Sequence, residues 1–126
     1  MSGNGAQIRV LVVDDSAFMR RVLGNIIGTD PQMTVVGVAS DGREAVSQAE
    51  SLHPDVITMD INMPVMDGLE ATEHIMTRNP RPIVVVSSES RQNANGTLRA
   101  LELGAVQRVH VLPEGPAEPV RGLAVQ

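Results

Sequence analysis

Five short runs of β-branched and apolar residues punctuate the chain: Ile8–Val13, Met33–Ala39, Asp55–Met59, Arg81–Val86 and Val106–Leu112. Val10-Leu11-Val12-Val13 and Ile83-Val84-Val85-Val86 show no polar residue at alternate positions. A strand with one wet face would alternate, whereas a continuous apolar strand suits a parallel sheet covered on both faces. Between the runs the period lengthens to that of a helix. Phe18, Val22, Ile26 and Ile27 form one stripe behind Ser16, a side chain suited to capping a helix N-terminus. Ala45, Val46, Ala49 and Leu52 form a second behind Ser40-Asp41. Asp67-Gly68-Leu69-Glu70 has the spacing of a capping box with Asp in the Ser/Thr place, and the stripe runs on through Ala71, Ile75 and Met76 to stop before Pro80. A fourth helical stretch, Asn93 to Leu103, is closed by Gly104, a residue that readily takes the left-handed conformation past a helix end.

The order is β-α-β-α-β-α-β-α-β with short connections. This predicts an α/β domain with a doubly wound, five-stranded parallel sheet, flavodoxin-like in strand order 2-1-3-4-5. The domain is expected over residues 1–112. Residues 113–126 read as a linker-like or atypical tail, because Pro113-Glu114-Gly115-Pro116-Ala117-Glu118-Pro119 is hostile to helix. Val120–Gln126 is too short for a robust helix, so the fifth helix is expected to be short or missing.

Sites in such sheets lie at the carboxyl ends of the strands, near the switch point. Strand 1 ends in Asp14-Asp15 and strand 3 ends in Asp60. If those strands are neighbours, three carboxylates converge. Three negative charges repel in a partly desolvated place, and a divalent cation resolves the conflict. Oxygen ligands with a few waters suit Mg²⁺. Three separate, solvated loop acids are the plainer reading, and it weakens once both strand ends point to one sheet edge. Asp60, at the tip of a buried strand, is placed to attack a phosphoryl group and form an acyl phosphate. Asp15 would ligate the metal and Asp14 would hold its waters. Ser87, closing strand 4, either donates its hydroxyl to a phosphoryl oxygen or caps a turn.

Composition narrows the alternatives. With 126 residues, 42% hydrophobic and 20% charged, the chain reads as globular. A net charge of −5 disfavours nucleic acid, whose binding rests on Lys and Arg neutralising phosphates. No apolar run approaches a membrane span and no signal-peptide pattern opens the chain, so a cytoplasmic location is expected. The absence of cysteine excludes disulfides and thiol catalysis. Every Lys/Arg position is Arg, which excludes a Lys nucleophile or a P-loop lysine. A phosphatase using D-x-D after strand 1 is disfavoured, since Asp14-Asp15-Ser16 lacks that spacing. His53, His74 and His110 are scattered without metal-ligand spacing, and Arg20-Arg21 reads as a solvated face of helix 1 or a docking point for a kinase or phosphotransfer domain.

Together these residues resemble the receiver domain of two-component response regulators. Val10–Ser16 looks like its first strand and acid pair, Asp60–Gly68 like the segment after its phospho-accepting Asp, Ser87 like its switch residue, and Leu98–Ala105 like its fourth helix and exit. Asp14-Asp15-Ser16-Ala17-Phe18-Met19-Arg20, Asp30-Pro31 with Val35-Val36-Gly37, and Val86-Ser87-Ser88 are similar to the receivers of chemotaxis protein-glutamate methylesterases. The resemblance implies a phosphorelay function, with Asp60 accepting phosphate from a sensor histidine kinase or phosphotransfer domain and with an output domain or chemotaxis partner downstream. It implies Mg²⁺ at Asp15, Asp60 and the Asn62 carbonyl, with Asp14 nearby. It implies a regulatory domain rather than an enzyme, since a methylesterase needs a second, catalytic domain.

One part of the pattern is missing. The family places a Lys at the end of strand 5 with an aromatic three residues before it. Ungapped matching puts Val111 at the Lys position and Arg108 at the aromatic one. Three readings follow: a receiver that takes phosphate slowly, a degenerate receiver acting as a phosphorylation-independent interaction module, or a shifted reading frame. Codons exist for Val111–Gly122 whose next frame reads FFPKGQPNLSVD, which restores an aromatic and a Lys at the family spacing. The frame-shift reading requires a single inserted or deleted base near codon 106. An intact gene, with related sequences sharing Gln107–Gln126, excludes it.

Overall fold

The computed structural model describes residues 6–87 and 107–110. Strands β1 (Ile8–Val13), β2 (Met33–Ala39), β3 (Val56–Met59), β4 (Ile83–Ser87) and β5 (Gln107–His110) form one five-stranded sheet in the order β2-β1-β3-β4-β5. All four strand pairs are parallel. Helices α1 (Ala17–Gly28), α2 (Gly42–Leu52) and α3 (Gly68–Arg78) alternate with the strands. The fold is the doubly wound arrangement expected from the apolar runs. The fourth helical stretch and the tail, 113–126, lie outside the described residues.

The unbroken apolar runs acquire their meaning here, because alternate residues of one strand enter two different cores. Leu11 and Val13 of β1, Ile57 and Met59 of β3, and Ile83 and Val85 of β4 face one side, packed with Ala45 and Ala49 of α2 and Ala71 and Ile75 of α3. Val10, Val12 and Val86 face the other, packed with Met19, Leu23 and Ile27 of α1. Each helix begins where its sequence provides a cap: Ser16, Asp41 and Asp67 accept the N–H of Met19, Glu44 and Glu70.

Two expectations shift. The buried face of α1 is Met19, Leu23 and Ile27, whereas Phe18 is 65% exposed. Val22 and Ile26 lie one and two turns after Phe18 and are half-buried, so these three form the flank of the helix, while Ile27 of the predicted stripe belongs to its base. Strands β3 and β4 also start one and two residues later than the apolar runs. Asp55 stands before β3, its carboxylate accepting the Arg9 N–H at 2.8 Å. Pro82 has no N–H for the ladder, and its carbonyl receives the Ile57 N–H at 2.9 Å.

Arginine secures the amino-terminal end of the sheet. Arg9 Nη1 donates to the carbonyls of Leu52 and His53, both at 2.7 Å, and Arg81 Nη1 to that of Pro54 at 3.1 Å. Arg81 Nη2 lies 2.8 Å from His53 Nδ1. His53 takes φ 52° where α2 ends, and Arg9 caps carbonyls at that negative helix end.

The opposite end is locked by backbone. Asp14 N–H bonds Ala39 O and Asp60 N–H bonds Val13 O, each at 3.0 Å, so the ladder continues into the acidic residues. The loop after β3 closes on two glycines: Gly68 N–H donates to Ile61 O and Gly42 N–H to Met66 O, each at 2.7 Å. A Cβ on Gly68 would strike the Asp60 carbonyl, and one on Gly42 the Met66 carbonyl. Both obstacles are backbone and cannot swing aside. Gly68→Ala is therefore expected to lower stability by about 1–3 kcal/mol, the range for forcing extra atoms into a packed interior. Urea unfolding monitored by circular dichroism checks it, and an unchanged midpoint refutes the close approach.

Candidate metal centre

β1 and β3 are neighbours in register, with Val13 opposite Met59. The residues that follow them are therefore side by side. Each of Asp14, Asp15 and Asp60 offers a carboxylate oxygen, and these oxygens lie within 4.8 Å of one another. Asp14 is 5% exposed and Asp60 9%, while Asp15 is open to solvent. Two carboxylates are thus held in the floor and one at the rim.

The electrostatics follow from this placement. Burial pushes the Asp60 carboxyl up from 3.8 to about 7, helped by the neighbouring charges of Asp14 and Asp15 and opposed by a hydrogen bond from the Asn62 backbone. Burial also raises Asp14, against the Ser16 N–H that bonds its carboxylate at 2.9 Å. The cluster resists full ionisation, which is the condition under which a divalent cation binds with gain. Three hard oxygen donors, two sheltered and one beside water, fit Mg²⁺ with part of its hydration kept. Asp14 and Asp15 come from the β1–α1 corner, and Asp60 from the tip of β3.

The remaining sequence candidates are placed as follows. Asn62 is two residues past Asp60 and exposed, and its N–H serves the Asp60 carboxylate. Ser87 ends β4 and pairs with His110 of β5, and only its backbone is described. The Lys and aromatic positions of strand 5 offer no comparison: Val111 lies outside the described residues, and of Arg108 only the backbone is described.

Two features of the site had no sequence pattern to announce them. Arg20 is not a plain solvated residue, since its Nη1 donates to the Asp14 carbonyl at 2.7 Å. Val65 is 75% exposed with φ 69°, and Met66 N–H reaches back to Pro64 O at 2.7 Å, making a tight three-residue turn. A β-branched residue at positive φ is strained, and the Gly42–Met66 bond holds the turn from outside.

The raised Asp60 carboxyl has a consequence for stability. A carboxyl raised in the folded state favours folding below its unfolded value, near pH 4, and that advantage is lost as pH rises through about 7. Without metal, Asp60→Asn is therefore expected to be more stable than the wild type at pH 8, by a few kcal/mol at most. The difference should close towards pH 4, and Mg²⁺ should narrow it at pH 8 by stabilising the wild type. Urea unfolding at several pH values, with EDTA or Mg²⁺, measures this. A difference independent of pH removes the charge argument.

Known proteins agree with this architecture. The family model described as the response regulator receiver domain matches residues 10–110. The chain is 46% identical over 125 residues to a protein-glutamate methylesterase/protein-glutamine glutaminase of Halalkalibacterium halodurans, covering 96% of this chain and 36% of that protein. It is 56% identical over 110 residues to one of Carboxydothermus hydrogenoformans, covering 87% and 31%. The chain thus spans about a third of the length of these relatives. Among solved structures, the response regulator domain of Thermotoga maritima CheB superposes with a TM-score of 0.80 at 53% identity, covering 86% of this chain and 81% of that one. A chain of the CheX-CheY-BeF3-Mg²⁺ complex from Borrelia burgdorferi is similar with a TM-score of 0.75 at 27% identity, covering 98% of this chain and 87% of that one. With the acid cluster on the expected sheet edge and the match running from β1 to β5, the chain belongs to the response regulator receiver domains, of the kind found in chemotaxis CheB proteins.

Proposed function

We propose that the domain accepts a phosphoryl group on Asp60 from a phosphohistidine of a sensor kinase or phosphotransfer domain. The observation that carries this is the packing of Asp60 against Asp14 and Asp15, with carboxylate oxygens of all three within 4.8 Å of one another. An Asp60 oxygen forms a bond to phosphorus as the phosphorus–nitrogen bond to the donor histidine breaks, and the imidazole leaves. Asp15 and Asp60 would hold Mg²⁺ directly, with Asp14 on its waters and the Asn62 carbonyl completing the protein ligands. The cation, when bound, neutralises charge on the transferring oxygens. The backbone that carries the Asp60 carboxylate is held by its N–H bond to Val13 O. The name of the Borrelia burgdorferi complex, with both BeF3 and Mg²⁺, supports such a pairing of a phosphoryl-shaped ligand and this metal in a related fold.

The assembled cluster favours this over a phosphorylation-independent module, which would have no use for three crowded acids. We assign Ser87 the role of switch residue: its hydroxyl would meet a phosphoryl oxygen, biasing the β4 end between two arrangements. The methylesterase and glutaminase activities of the relatives would reside in the two thirds that this chain does not span, with this domain as their regulator in a chemotaxis setting.

Incubation with acetyl phosphate and Mg²⁺, followed by intact-mass measurement, tests the reading. One added phosphoryl group is expected in the wild type and none in Asp60→Ala or with EDTA. No mass gain at saturating donor overturns it.

A further inference from the structure

The β1–α1 corner is held at three points. Asp14 N–H bonds Ala39 O at 3.0 Å, its carboxylate accepts the Ser16 N–H at 2.9 Å, and its carbonyl accepts Arg20 Nη1 at 2.7 Å. The third tie differs in kind. It comes from a half-buried side chain one turn into α1, whose own N–H is bonded to Ser16 O at 2.9 Å. It is also a charge-assisted bond from a planar donor, which fixes direction better than a point charge does.

The Asp14 carbonyl and the Asp15 N–H belong to one rigid peptide plane. Turning that carbonyl therefore re-aims the backbone that carries the Asp15 side chain. Without a donor, a sheltered carbonyl loses its partner and turns towards water. We propose that Arg20 is a positioning residue of the metal centre: by fixing the Asp14–Asp15 peptide plane it sets the direction of the Asp15 carboxylate. The inference rests on reading the cluster as an Mg²⁺ site. It also carries a sign that separates it from simple electrostatics. Removing a cation from beside three acids would, by charge alone, tighten Mg²⁺ binding, whereas loss of positioning weakens it.

Calorimetric titration of Mg²⁺ into the wild type, Arg20→Met and Arg20→Lys tests this, alongside melting of each protein without metal. Kd is expected to rise about tenfold in Arg20→Met, in the range for removing a support behind a metal ligand. The Kd of Arg20→Lys, which keeps a charged donor but not the planar fork, should fall between those of the wild type and Arg20→Met. An Arg20→Met Kd that is unchanged or lower overturns the proposal, whatever the melting temperature does, and so does an Arg20→Lys Kd no lower than that of Arg20→Met. Should Arg20→Met not fold, Arg20→Gln is measured in its place with the same expectation of weaker binding. A wild type that binds Mg²⁺ and takes up phosphate while Arg20→Met binds equally well removes only the role of Arg20. A wild type that does neither removes the reading of the site itself.

Discussion

Everything in this domain is arranged around like charges forced together at the ends of two parallel strands. Asp14, Asp15 and Asp60 would separate if their backbones were free to do so. They are not free, because the ladder runs on past the strands: Asp14 N–H is bonded to Ala39 O and Asp60 N–H to Val13 O. Behind them stand side chains wholly removed from water, Leu11, Ile57, Met59 and Ile83 among them. Repulsion at one edge is thus held by apolar burial throughout the sheet, a non-directional and much larger sum. The same burial raises the Asp60 carboxyl, so core and site are electrostatically coupled.

That coupling explains what was legible in the sequence. Unbroken apolar runs demanded two covered faces, and a parallel sheet with helices on both sides is the arrangement that provides them. Once strand order 2-1-3 is granted, Asp14-Asp15 and Asp60 must meet, because their positions are counted from strand ends. The capping residues Ser16, Asp41 and Asp67 were equally readable, since each bonds an N–H three residues away.

What could not be read depends on partners distant in the chain or on geometry without a composition. Arg9 meets Leu52 O across 43 positions, and Arg81 meets His53 across 28. No periodicity encodes such a clamp. Phe18 misled because a helix flank and a helix base differ by one residue, and only the packing of Met19, Leu23 and Ile27 on β1 decides between them. Val65 was illegible in another way: residue type argues against positive φ, and the turn is held by Gly42, from a different loop, bonding Met66.

The absence of lysine takes on a local meaning in this frame. At the amino-terminal end of the sheet, Arg9 and Arg81 each reach backbone carbonyls, a task suited to a fork of several donors. At the carboxyl end, Arg20 does the same for Asp14. In all three cases the guanidinium is aimed at backbone carbonyls by hydrogen bonding, with Arg81 also reaching the His53 ring, rather than leaving a mobile ammonium to follow charge. A phosphoryl group added to Asp60 would bring further negative charge to an edge where the described cation is already directed at a carbonyl. Under the proposed function, the metal would be the group left, among the described residues, to neutralise that charge. Metal occupancy and phosphoryl retention should then be more tightly linked than in a receiver with a lysine facing the phosphate.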